Sequence, residues 1–354
     1  MMVEVTPLAA ESTMLQSHLS SPRQLELRQA PIPTPGPGEL VVKVEIALTC
    51  GTDLKTFRRG HPLFPFPTAI GHEFSGIVAR AGAGAKWKAG DAVAVVPSAP
   101  CGACPSCRRG LENLCDEIHG KNMAWGAFAE YVLVPERVAK RNVFARPASL
   151  SARDAAFLEP LSCVVNGVSR LELARAESAV VLGLGPIGLL FIALLKKKGV
   201  PRVIAVGKHA TRLAAARALG ADDVVDAATV KGERGVLELT QGEGAAAVVE
   251  CVGRPETWEE AIAMTRKGGE ALFYGGCAAG VRVPVDARRV HYEALTLKGA
   301  FHFTPDNVRE SLDLLASGAI PVGKLVSDEL PLTKLLEAIA RLEAGECLKL
   351  AIKP

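Results

Sequence analysis

Cys101, Cys104, Cys107 and Cys115 fall in the pattern C-x2-C-x2-C-x7-C. Thiolates this close together can enclose one tetrahedral zinc ion, and Gly102, Pro105 and Arg109-Gly110 supply the turns that aim them inward. A site closed by four cysteines leaves no position for a substrate, so its role is structural. An iron–sulfur cluster is the chemically allowed alternative. A second set of candidate ligands is scattered through the chain: Cys50-Gly51-Thr52-Asp53, Gly71-His72-Glu73 and Glu159-Pro160. No spacing rule unites them. Taken singly, Cys50 reads as a buried thiol, His72 as a core histidine and Glu159 as a solvated charge. A third constellation is Gly183-Leu184-Gly185-Pro186-Ile187-Gly188, a G-x-G-x-x-G turn. In a strand-to-helix context Gly183 makes the turn, Gly185 lets a pyrophosphate approach the backbone, and Gly188 lets helix and strand pack closely. The amides of the helix N-terminus would then face the anion, and Pro186 fits as an early helical residue.

The surrounding pattern supplies that context. A short apolar run over 179–182 precedes the glycines, and an apolar helix-compatible segment over 189–198 follows them, ending at Gly199. Further strands are expected over 202–206, 223–225, 246–250 and 270–274. Helical segments lie between them, such as 210–219, which ends at Gly220. Strand–helix alternation of this kind implies a parallel sheet covered by helices. The earlier part of the chain is mainly β. Imperfect alternation over 14–26 suggests a hairpin, the Pro-Gly-rich stretch 31–38 is a stiff connector, and 39–48, 73–79 and 91–96 read as strands. Residues 1–12 have no clear period and read as a loose extension. Near the end a helix over 305–317 and a strand over 349–352 close the chain.

Composition narrows the function classes. A chain of 354 residues with 49% hydrophobic and 22% charged residues is that of a soluble globular protein of two domains. A formal charge of +3 is too small to suggest nucleic acid or an anionic membrane as partner. No apolar run is long enough to span a bilayer, and no secretory leader is apparent. Nine cysteines, four at metal-ligand spacing, fit a reduced cytoplasm. Cys163, Cys277 and Cys347 have no partner by spacing.

In this order the motifs resemble those of the zinc-dependent medium-chain dehydrogenases, the alcohol dehydrogenase superfamily. The matching features are C-G-T-D at 50–53, G-H-E at 71–73, the four-cysteine lobe at 101–115, E-P-L-S at 159–162 and G-L-G-P-I-G at 183–188. They span nearly the whole chain. The sequence is similar to the polyol (sorbitol-like) branch, in which a glutamate before proline, here Glu159-Pro160, stands where many alcohol dehydrogenases have a ligand cysteine. The resemblance implies an α/β fold with a GroES-like β-rich catalytic domain over 1–163 and a Rossmann domain, a doubly wound parallel sheet, over 164–298. A C-terminal segment over 299–354 would complete the catalytic domain, with the active site in the cleft between the domains.

The resemblance also implies two zinc ions per chain, one structural at Cys101, Cys104, Cys107 and Cys115. The other is catalytic, held by Cys50, His72 and a carboxylate from Glu73 or Glu159. Thr52, Asp53 and Glu73 are the expected catalytic set: Asp53 would orient His72, and Thr52 would relay the alcohol proton. Cofactor contacts are expected from Gly183, Leu184, Gly185, Pro186, Ile187 and Gly188, and from Val252 in a later turn. NAD-preferring relatives usually carry an acidic residue near position 207. Here Gly207 is followed by Lys208 and His209, with Arg212 beyond, so NADP(H) is favoured over NAD(H). The implied activity is reversible hydride transfer between a secondary alcohol, with polyol or sugar alcohol favoured, and NAD(P). Amino-alcohols and sugar phosphates are alternative substrates, and a non-catalytic zinc- and nucleotide-binding protein is the alternative of another class. Leu63, Phe64, Phe66, Trp125 and Phe128 are candidates to line a pocket for the small alcohol or ketone. A cytoplasmic homodimer or homotetramer is expected, with no nucleic-acid or membrane partner.

Overall fold

The computed structural model describes residues 12–354 except Leu63; the extension expected at the N-terminus (residues 1–11) and the pocket role of Leu63 lie outside the described residues. The chain divides into two compact units. The first comprises the chain up to Ser162 together with Phe303–Ser317 and Val326–Pro354. A hairpin of Thr13–Ser21 and Gln24–Pro31 opens it. The main sheet runs in the order Val326–Pro331, Lys349–Lys353, Leu40–Leu48, Glu73–Ala81, Ala92–Val95 and Val143–Ala145, with Tyr131–Val134 also paired to Leu40–Leu48. The strand Leu40–Leu48 is central because its apolar residues are buried on both faces. Its register decides where the chemistry goes: Leu48 pairs with Glu73 on one side and with Ala351 on the other. Three segments far apart in sequence therefore meet at the end of one strand, directly before Cys50.

The second unit comprises Cys163–His302 and Gly318–Leu325. Its six parallel strands lie in the order Asp223–Asp226, Arg202–Gly207, Ser178–Leu182, Ala245–Glu250, Thr265–Phe273 and Thr296–Gly299. This is the doubly wound order, with the winding direction reversing between Ser178–Leu182 and Ala245–Glu250. Ser178–Leu182 (SAVVL) is buried along its whole length, as a strand covered by helices on both faces must be. The α/β class and the parallel sheet expected from the sequence are thus what the chain forms. Thr296–Gly299 and Val326–Pro331 were not anticipated; each is an edge strand with little burial to print an alternation. No helix among the described residues is long and apolar enough to cross a membrane.

The glycine turn after Ser178–Leu182 is sterically exacting. Gly183 has φ +103°, a left-handed region that favours glycine. A Cβ at Gly188 would lie 1.8 Å from the carbonyl oxygen of Gly183, so strand and helix Pro186–Lys197 approach only because that atom is missing. Gly188→Ala is expected to destabilise the chain by about 1–3 kcal/mol, read as a lowered urea midpoint; an unchanged midpoint would refute the close approach.

Candidate metal centre and nucleotide crevice

Cys50 precedes helix Gly51–Arg59, and Asp53 lies in that helix's first turn. Asp53 is fully buried. Its Oδ2 accepts from the Cys50 amide at 2.9 Å, and its Oδ1 accepts from the Gly71 amide at 3.1 Å. The same Oδ1 lies 3.3 Å from His72 Nδ1. One carboxylate thereby fixes two turns that carry candidate ligands. Cys50, His72 and Glu73 each bring a ligand atom to within 4.8 Å of the others. A thiolate, an imidazole and a carboxylate make a donor set that suits zinc and can leave a fourth position open. Glu159 is not in this group. It lies in the first turn of helix Leu158–Val168, and its charge acts on Lys349.

Two observations fit a cation here. Glu73 Oε1 is buried with no hydrogen-bond partner among the described residues, an expensive condition unless something positive meets it. Burial of His72 opposes a charged ring, yet Asp53 and then Cys50 outweigh it and hold the imidazole well above its usual value. The surroundings therefore favour positive charge. Thr52 is half-buried in the same first turn, its carbonyl engaged by Thr56 Oγ1 at 2.8 Å.

Lys349 is the neighbour that sequence reasoning missed. It is 2% exposed, and its Nζ donates to Glu73 Oε2 and, at 2.9 Å, to the Thr49 carbonyl. Burial works against its charge, but Glu73 and then Cys50 reverse this and raise it. Thr49 Oγ1 in turn accepts from the Leu350 amide at 2.8 Å, which ties the strand to the metal-site turn. The available signal was a lysine opening the otherwise apolar strand K-L-A-I, since a charge on a buried strand needs a partner.

An aromatic stack covers His72. The Trp125 ring lies parallel to His72 at 5.2 Å and to Phe64 at 3.8 Å, and its Nε1 donates to the Ala69 carbonyl at 2.7 Å. Of the expected pocket residues, Phe64 and Trp125 reach the site. Phe128 is fully buried in the core and Phe66 packs against that core.

The four cysteines 101, 104, 107 and 115 also bring their sulfurs within 4.8 Å of one another. Backbone amides point at those sulfurs: Cys101 N to Cys115 Sγ at 3.2 Å, Cys104 N to Cys101 Sγ at 3.2 Å and Cys107 N to Cys104 Sγ at 3.5 Å. Amides of Cys107 and Asp116 bring the Cys104 thiol down to about 6. Such donors stabilise the thiolate form at Cys101 and Cys104, the form that binds metal, whereas burial pushes the Cys115 thiol up and that of Cys107 up to about 12.

In the second unit, Gly185 precedes helix Pro186–Lys197, and a Cβ built on it would meet nothing within 4 Å. Open backbone at a helix N-terminus is a cradle for phosphate. Gly207 ends the neighbouring strand, where a Cβ would meet Leu184 Cγ at 2.5 Å, so any side chain there would have to displace Leu184. Lys208 and His209 follow it in exposed positions, with Arg212 half-buried in helix Ala210–Ala218. Val252 lies against Gly183: a Cβ on that glycine would be 2.6 Å from Val252 Cγ2.

Two family models match the chain: the alcohol dehydrogenase GroES-like domain over residues 36–142, and the zinc-binding dehydrogenase over residues 186–317. The chain belongs to the zinc-binding alcohol dehydrogenase family. It is 32% identical to D-altritol 5-dehydrogenase of Agrobacterium fabrum, over 88% of this chain and 90% of that one. It is 28% identical to sorbitol dehydrogenase of Bacillus subtilis, over 94% and 95% of the two chains. Among solved structures it is similar to a Sinorhizobium meliloti protein crystallised with NADP, with a TM-score of 0.89, 31% identity, and 97% and 100% of the two chains covered.

The buried Glu73–Lys349 pair yields a direct test. Lys349→Met strands the glutamate's charge and is expected to cost about 3–5 kcal/mol. Combining it with Glu73→Gln should recover most of that loss. Urea denaturation of the two single variants and the double variant measures the coupling, and purely additive losses would show that the pair is not linked.

Proposed function

We propose that this chain is a zinc-dependent dehydrogenase that transfers a hydride reversibly between the CH–OH group of a polyol or sugar alcohol and NADP. The observation that carries the proposal is the donor set of half-buried Cys50 with buried His72 and Glu73 in a chain of the zinc-binding alcohol dehydrogenase family. Its similarity to sorbitol and altritol dehydrogenases supports the substrate class. Gly207 with exposed Lys208 and His209, and the NADP held by the Sinorhizobium meliloti relative, support the cofactor.

Cys50, His72 and a carboxylate from Glu73 or Glu159 would hold the catalytic zinc, and Cys101, Cys104, Cys107 and Cys115 the structural one. When bound, zinc supplies a Lewis-acid position that eases loss of the alcohol proton and polarises the carbonyl in reverse, and the nicotinamide supplies the hydride acceptor. Asp53 orients His72 and, through the Cys50 and Gly71 amides, keeps both turns in place. Thr52 would take the hydroxyl proton while releasing its own to solvent. Lys349 competes for Glu73, holding one of its oxygens while the other remains open. Phe64 and Trp125 exclude water beside His72. Lys208, His209 and Arg212 would supply positive charge to a 2′-phosphate. The exposed edge strand Thr296–Gly299 supports assembly into a homodimer or homotetramer, and the four-thiol site supports a cytoplasmic location.

Elemental analysis is expected to give about two zinc ions per chain, and Cys50→Ser or His72→Ala to remove one of them and abolish turnover while the fold survives. Undiminished turnover in those variants would refute zinc chemistry at this site. A screen of polyols and ketones with both cofactors is expected to show higher kcat/KM with NADP; a strong preference for NAD would overturn the cofactor assignment.

A further inference from the structure

The doubly wound sheet opens a crevice outside the carboxyl ends of Ser178–Leu182 and Ala245–Glu250, the adjacent strands at which the winding reverses. The glycine turn forms one wall and the turn after Glu250 the other. The two walls touch, since the Cys251 amide donates to the Leu182 carbonyl at 2.8 Å and Val252 lies against Gly183.

Glu250 is fully buried at the end of its strand, a costly place for a carboxylate. Its Oε1 accepts from the Val252 amide at 2.7 Å, the Gly253 amide at 2.9 Å and Thr257 Oγ1 at 2.8 Å. Its backbone carbonyl accepts from the Tyr274 amide at 3.0 Å and the Gly275 amide at 2.9 Å, in the turn after the next strand. That second turn is pressed against the first: a Cβ on Gly275 would lie 2.3 Å from Gly253 N and 2.6 Å from Glu250 Oε2. Trp258 Nε1 completes the junction by donating to the Gly275 carbonyl at 2.9 Å. Burial pushes the Glu250 carboxyl up, opposed by Gly253, Thr257 and Val252. A turn between strand and helix requires no buried acid. Here one residue binds two consecutive turns into a single rigid wall, from which Val252 presents an apolar side chain 41% exposed.

We propose that Glu250 is a positioning residue of the dinucleotide site, its carboxylate locking turn 251–253, against which turn 274–275 packs, so that Val252 and the adjoining backbone form a preformed wall for the bound cofactor. The inference rests on the dehydrogenase reading above. Preforming the wall removes an ordering cost from binding, so its loss falls on cofactor affinity.

The test is titration of the zinc-loaded protein with NADPH and NADH, followed by nucleotide fluorescence, in wild type, Glu250→Met and Thr257→Val. Glu250→Met removes the acceptor of all three bonds; Thr257→Val removes one donor to the carboxylate together with the cap contact to the Arg254 amide at 3.2 Å, and decides the matter if Glu250→Met does not fold. Dissociation constants are expected to rise about tenfold for Glu250→Met and about threefold for Thr257→Val. The KM for alcohol at saturating cofactor and the zinc content are expected to stay unchanged. Dissociation constants within about twofold of wild type, even with a lowered melting temperature, would make Glu250 a purely structural group and overturn the inference while leaving the dehydrogenase reading intact. A wild-type chain that binds neither nucleotide would overturn that reading and this inference with it.

Discussion

One carboxylate, that of Asp53, holds together what the rest of the metal centre needs. Its two oxygens are divided between the turn that carries Cys50 and the turn that carries His72. Neither turn is defined by its own sequence, because one leaves the strand Leu40–Leu48 and the other leads into the strand Glu73–Ala81. Without a shared acceptor their amides would be buried donors with no fixed direction. With it, the thiol and the imidazole are set before any ion arrives. The charges around them then follow a consistent balance: Asp53 and Cys50 favour a positive ring at His72, and Lys349 offsets Glu73.

The second unit solves a different problem by removing atoms. At Gly183, Gly188 and Gly207 a side chain would collide with Val252, with the Gly183 carbonyl and with Leu184 respectively. The missing side chains let one turn approach closely enough to bind an anion through its amides. At the opposite wall a buried acid does the corresponding work by accepting hydrogen bonds. Both arrangements create rigidity at the ends of strands, where the parallel sheet itself no longer supplies it.

These features were legible in the sequence to very different degrees. The glycine turn and the four-cysteine lobe are local, so spacing alone announces them. Cys50, His72 and Glu73 were individually unremarkable, and only a resemblance to a family joined them. The physical reason they meet is the pairing of Leu48 with Glu73, and register is set by packing across the whole sheet. A charge opening the apolar strand at Lys349 signals that a partner is needed, but the partner lies 276 residues away and nothing local says which residue it is. The edge strands Thr296–Gly299 and Val326–Pro331 escaped notice because exposed strands carry little hydrophobic alternation. Phe128 and Trp125 are equal candidates to line a pocket by sequence, yet one is core and the other stacks on a histidine.

The separation between Glu73 and Lys349 has a consequence for biogenesis. A ribosome adds the glutamate long before the lysine, which lies 276 positions further along the chain. Throughout that interval the nascent sheet lacks both a central neighbour for Leu40–Leu48 and the ammonium group that makes burial of Glu73 tolerable. Closing this corner therefore requires the C-terminal strand, which brings the ammonium group to Glu73 and to the Thr49 carbonyl together.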